Sequence, residues 1–183
     1  EENRAANIPE FVNTDPGAIR KIEEAFLDDT NYLRAGDEFR KQGEYHNAIR
    51  WYRRALEINP DNAAVHVNWG ISLLALGKVP EAGARLEQAI RLKPDLPEAH
   101  CSLGMVLRQQ NRLAEAAASY EKSLRLKPDF ALAHLHLGTL LLDLGKFDRA
   151  IEHLTKAVEL DPGDPFAHFN LGAAFGRTQD PQR

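Results

Sequence analysis

One cysteine, Cys101, and one methionine, Met105, in 183 residues leave no material for an intrachain disulfide framework or a multi-cysteine zinc site. No apolar run approaches the ~18 residues of a membrane-spanning helix, so direct membrane insertion is not expected. Glycine and proline are sparse, at 12 and 10, which excludes collagen-like and low-complexity chains. Charge of one sign is scarce as well. Seven acids and three bases fall in residues 1–28, leaving 20 of each in the rest of the chain. A neutral body lacks the basic footprint of a phosphate-backbone binder or a polybasic membrane-surface protein, so no nucleic-acid partner is expected. Also missing are a phosphate-cradling glycine loop, H-E-x-x-H and G-x-S-x-G. The chain therefore reads as a non-enzyme with no cofactor. The compartment is left open.

What the sequence does contain is a period. Pro60, Pro94, Pro128 and Pro162 stand 34 residues apart, as do Gly36, Gly70, Gly104, Gly138 and Gly172. Two further ladders, Ala48–Ala82–Ala116–Ala150 and Ala55–Ala89–Ser123–Ala157, run in phase with them. With proline at place 32, the units are 29–62, 63–96, 97–130 and 131–164, followed by a partial fifth at 165–183. Each unit reads as two helices. In the fourth, His134, Leu137, Gly138 and Leu141 form one helical stripe, and Phe147, Ala150, Ile151, Leu154, Ala157 and Val158 another. Gly43, Gly77, Asn111 and Gly145 sit where a first helix ends and a left-handed residue is wanted. Asn59-Pro60-Asp61 and its counterparts end the second helix and offer Asp61, Asp95 and Asp129 as caps for the next. Small residues at places 8 and 20, such as Gly138 and Ala150, are expected to let two helices approach closely.

These residues resemble the tetratricopeptide repeat, W-x2-L-G-x2-Y followed by A-x3-F, A and P. The match covers about 135 residues strongly. Departures are mild: Trp69 stands where Leu is usual, Leu86 and Leu154 replace an aromatic, and Ser123 replaces Ala. The resemblance implies an all-α, right-handed superhelical solenoid of antiparallel helix pairs, with the first helices lining a concave face. It implies a protein-interaction scaffold, or alternatively the substrate-recruiting arm of a larger enzyme such as a glycosyltransferase.

A helical wheel at ~100° per residue puts places 4, 7, 8 and 11 of the first helix on the core side and places 2, 5, 9, 12 and 13 opposite. By resemblance, the second set faces the groove. It is apolar for a solvated face: Leu33, Val67, Cys101, Leu135 and Phe169 at place 5, Ile71 and Met105 at place 9, Leu74 and Leu142 at place 12. Such a surface suits an amphipathic helix or extended apolar segment of a protein or peptide partner. Beside it, place 6 carries Arg34, Asn68, Ser102, His136 and Asn170. In the arrays of O-linked N-acetylglucosamine transferases an Asn at this place grips the peptide backbone. Asn68 and Asn170 match that pattern, while Ser102, His136 and Arg34 break it. The carboxylate-binding pattern of co-chaperone repeats is absent, since Leu33, Asp37, Asn68, Glu98 and Ser102 stand in its places and offer it one amide and no cation.

The histidine ladder His66, His100, His134 and His168 lies on the core side. Its members are spaced by helix packing at roughly 8–10 Å, too far apart to share a metal, so they read as packed, hydrogen-bonded histidines. Cys101 reads as a small hydrophobe of the groove. Trp51 and Tyr52 read as one packed and one partly exposed aromatic. Residues 1–15 read as an extended lead-in and 16–28 as an N-terminal capping helix. The Phe-rich first helix of the fifth unit leaves an apolar edge, met either by further chain beyond Arg183 or by self-association. On this reading, Val67→Glu or Leu135→Glu should abolish partner binding and leave the helices intact.

Overall fold

Left-handed residues and prolines fall between successive helices. The computed structural model describes residues 28–178; the lead-in at 1–15, all but the last residue of the helix expected at 16–28, and residues 179–183 lie outside the described residues. Helices α1 (Asp29–Lys41) and α2 (Tyr45–Ile58) form the first unit, α3 (Ala63–Ala75) and α4 (Val79–Leu92) the second, and α5 (Pro97–Gln109) and α6 (Leu113–Leu126) the third. The fourth is α7 (Ala131–Asp143) with α8 (Phe147–Leu160), and α9 (Pro165–Thr178) begins the fifth. No strand occurs among the described residues, and the architecture is an all-α solenoid.

Gly43, Gly77 and Gly145 adopt φ of 78°, 71° and 69°, and Asn111 adopts 60°. That left-handed residue lets the next amide turn back on the helix: Glu44 N donates to Phe39 O at 2.8 Å, and Lys78, Arg112 and Lys146 repeat the bond at 2.9 Å. The caps differ from expectation. Asp61, Asp95 and Asp129 do not cap, because each first helix starts one residue later, with Asn62, Leu96 and Phe130 in the extended N-cap conformation. Only Asn62 of these three uses its side chain, accepting from Val65 N at 3.2 Å. In the fifth unit Asp164 accepts from Phe166 N at 2.8 Å.

The glycine ladder has a specific cause. A Cβ on Gly36 would run into the Tyr52 ring; on Gly70 it would lie 2.8 Å from Leu86, on Gly104 2.5 Å from Tyr120, and on Gly138 2.7 Å from Leu154. Place 8 is empty so that the large residue at place 24 can seat on the backbone of the first helix. Tyr52, Leu86, Tyr120 and Leu154 are all fully buried there. Trp51 is half-buried, stacked on Phe39 with centroids 6.4 Å apart.

Units are joined by a second ladder. His66, His100, His134 and His168 each place Nε2 2.9–3.0 Å from the carbonyl oxygen of Pro60, Pro94, Pro128 and Pro162. A carbonyl can only accept, so each ring donates from Nε2. The histidines thus tie the start of a first helix to the proline turn before it, and no group of three or more His, Cys, Asp or Glu among the described residues is arranged to hold a metal.

Successive first helices approach one another (α1 with α3, α3 with α5, α5 with α7, α7 with α9), whereas successive second helices do not. Crowding on one side and separation on the other bend the stack, so the first helices line an inner wall and the second helices an outer one. The glycine interlock predicts that Gly104→Ala destabilises the protein by about 1–3 kcal/mol although alanine is the better helix former. Gly172→Ala, where no atom lies within 4 Å of the added Cβ, should be neutral or stabilising. Urea unfolding of the two variants checks the contrast.

Candidate functional site

The inner wall is built from first helices, and those inside the array have four neighbours each: their own second helix, the second helix of the preceding unit, and the first helices before and after. This corrects the wheel. Place 5 is not a groove surface in the middle of the array, because Val67, Cys101 and Leu135 are 5%, 1% and 7% exposed, sealed where one first helix stacks on the next. Leu74 and Ser102 are buried as well. A glutamate at Val67 or Leu135 would therefore place an unpaired charge in the core and unfold the array, so the expectation of binding lost with helices intact does not hold at these two positions. Phe169, at the same place in α9, is exposed because no further first helix covers it among the described residues.

The residues that do face solvent are fewer. Leu132 and Phe166, at place 2 of successive first helices, are 45% and 69% exposed. Ile71, Met105 and Leu142 are half-buried, with Arg108 and Thr139 beside them. Cys101 is inert in this setting, since burial raises its thiol pKa to about 12.

The two place 6 amides are engaged internally. Asn68 Nδ2 donates to Asp37 Oδ1 at 2.7 Å, and the Tyr52 hydroxyl donates to the same oxygen at 2.7 Å. Arg40 Nε lies 3.7 Å from it. Asn170 donates back to Phe166 O at 2.9 Å. The ladder of free amides that would grip a peptide backbone is thus not what the geometry presents.

Sixty-eight residues on, the same four places hold Tyr120, Met105, His136 and Arg108. The acid has become methionine. The Tyr120 hydroxyl and His136 Nε2 are buried with no hydrogen-bond partner, and their rings stack at 5.8 Å. Arg108 pairs instead with Asp143 of the next first helix, at 2.5 Å. Burial, and then the Arg108 charge, depress the His136 pKa to about 4. The signal that could have revealed this pair is the alternation of Tyr and Leu at place 24 and of Arg and Leu at place 12, which doubles the period. In α7 and α8, His134 Nδ1 lies 3.0 Å from His153 Nδ1. With His134 donating from Nε2, the neutral pair requires His153 to donate from Nδ1.

Family models match the sequence over most of the chain: one described as "TPR repeat" at residues 36–77 and 138–179, and one described as "Tetratricopeptide repeat" at 67–131. The chain belongs to the tetratricopeptide repeat (TPR) family. Among solved structures, MamA is similar at 26% identity over 82% of each chain, with a TM-score of 0.65. TTC0263, a thermophilic TPR protein of Thermus thermophilus, is 23% identical over 82% of this chain and 83% of its own, with a TM-score of 0.73. YrrB, described as a TPR protein with an unusual peptide-binding site, is 22% identical over 90% of this chain and 84% of its own, at 0.65. At such identities the last two show the TPR fold alone. No curated protein matches in sequence. No helix among the described residues is long and apolar enough to cross a membrane.

Three histidines of this TPR array contribute to its pH response. His136, His66 and His153 all have folded pKa values below the ordinary 6.5, with burial the leading cause in each. The folded state then binds fewer protons than the unfolded chain, so their contribution is complete above pH ~6.5 and is lost as pH falls from there toward 4. His136→Asn, which copies place 6 of the second TPR, should remove about 1–3 kcal/mol of that acid destabilisation, read from urea midpoints at neutral and acid pH. Met105→Asp restores the acid of the first TPR and should raise the His136 pKa by about 1–3 units, measured by NMR titration of the ring.

Proposed function

We propose that this TPR array binds a polypeptide segment of another protein along its inner wall, through apolar contacts at the exposed Leu132 and Phe166 and at the half-buried Ile71, Met105 and Leu142. TPR arrays are protein-interaction scaffolds whose concave surfaces take extended ligands. The observation that carries the reading is the exposure of two large hydrophobic side chains at the same place on successive first helices. Side chains of that size gain about 1.5–3 kcal/mol each when a partner covers them. The half-buried polar side chains Arg108 and Thr139 would set the direction of the segment rather than its affinity. In this reading the chain does no chemistry itself. The likeness to YrrB supports it only through the shared fold.

Phe169 supports a second reading. Its place is covered by a neighbouring first helix in the three preceding units, yet here it is 75% exposed, which suits self-association through α9. Light scattering at two protein concentrations distinguishes a monomer from an assembly.

The inner-wall reading is tested by panning a random-peptide phage library on the wild-type protein. Peptides so selected should lose roughly tenfold or more in affinity for Leu132→Glu and for Phe166→Glu, with circular dichroism unchanged. Selected peptides that bind both variants as tightly as wild type would place the site elsewhere.

A further inference from the structure

On the outer wall, where second helices stand apart, the gap between α2 and α4 is an open groove of about 410 Å3 floored by Trp69. Arg50 and Arg53 line it from α2, and Lys78 and Arg85 from the start and middle of the facing hairpin arm. The Arg85 guanidinium lies over the Trp69 ring, 3.8 Å from its centroid. Glu81 lines the same groove, yet among the described residues none of the four cations has a carboxylate within ion-pair distance.

The molecule contains its own comparison. Arg53 stands at place 25, which is Glu87 in the second unit and Glu121 in the third. Glu121 accepts from Arg149 of the following second helix at 3.4 Å, so that outer-wall gap is neutralised across units. At the two matching places the first gap holds Arg53 and Glu81, the same pair with its signs exchanged but outside ion-pair distance, and Arg50, Lys78 and Arg85 add three further cations around it. After burial, the Arg53 charge is what lowers the Arg85 pKa from the usual arginine value. Like charges facing each other across a partly buried gap repel, and an anion between them turns that repulsion into attraction.

We propose that this outer groove binds an acidic stretch of a partner polypeptide. The shape of the charge favours it over other anions. Residues 50 to 53 and 78 to 85 lie along helix sides, where the cationic lane runs for about 10 Å, the reach of roughly three extended residues. The first turn of α4 reaches the groove at Lys78 but carries Glu81 beside it, and that carboxylate opposes a compact phosphate there. A nucleic acid would want an open aromatic face, but Trp69 is only 8% exposed and Arg85 covers it. Carboxylates suit guanidinium forks by paired hydrogen bonds.

This site is independent of the inner wall, and the experiment separates the two. The full chain is titrated with an oligo-glutamate peptide, with oligo-lysine and oligouridylate as comparison ligands, by calorimetry and by tryptophan emission. Oligo-glutamate is expected to bind, to shift the emission through Trp69, and to weaken with added NaCl. Arg53→Glu reproduces the residue found at this place in the next two units. It should lose roughly tenfold or more in affinity without a fall in thermal midpoint, because it pairs with Arg85. Arg50→Ala should weaken binding in the same direction, and Leu132→Glu should leave it unchanged. Absence of oligo-glutamate binding, equal binding by Arg53→Glu, or tighter binding of oligouridylate would overturn the proposal.

Discussion

The fold depends on a side chain seated where there is none. Glycine at place 8 opens a gap on the first helix, and the residue at place 24 of the second helix fills it. Tyr52, Leu86, Tyr120 and Leu154 are the plugs, each without exposed surface. The close approach fixes the angle and depth of every hairpin. Because the interlock is the same in four units, each hairpin presents the same surfaces to the next, and the units stack as a solenoid. The proline-carbonyl bonds of the histidine ladder then repeat the same tie between units.

Stacking identical hairpins creates two unlike walls. First helices crowd together and close place 5, whereas second helices separate and leave open gaps. The backbone is nearly uniform, so chemical identity comes from departures at single places. Asp37 gathers a tyrosine, an asparagine and an arginine at the first junction, while Met105 at the third leaves Tyr120 and His136 without that acceptor. On the other wall, Arg50, Arg53, Lys78 and Arg85 gather around a single Glu81 and make the first gap cationic. Function in such a molecule is written in the exceptions to its repeat.

The hairpins, their turns and the family were legible in the sequence because they rest on residues with one strong physical meaning: left-handed glycine or asparagine, helix-ending proline, and glycine under a large side chain. The inner wall was less legible. A wheel drawn for one amphipathic helix assumes a buried side and a wet side, and it assigned Val67, Cys101 and Leu135 to the wet one. A solenoid helix is buried on two further flanks. The sequence of α3, Val65-His66-Val67-Asn68-Trp69, already shows this, since it is apolar nearly all round, as expected of a helix enclosed by neighbours. Asn68 matched a peptide-gripping pattern by type, but its partner Asp37 lies 31 residues away and belongs to another unit. The cationic groove had the same difficulty, for Arg53 and Arg85 become neighbours only once the spacing between second helices is known. Short-range rules reach the hairpin, whereas cross-unit contacts are set by how the hairpins stack.

The sealing of place 5 decides which surfaces are available, and the chain carries a built-in probe of it. Cys101 is the sole thiol, buried to 1% exposure between stacked first helices. Reaction with a thiol reagent such as dithionitrobenzoate should be slow in the native protein and stoichiometric at once in urea. A native-state rate comparable to that of the unfolded chain would mean that successive first helices do not close on each other, and the division into a sealed seam and an open inner wall would be wrong.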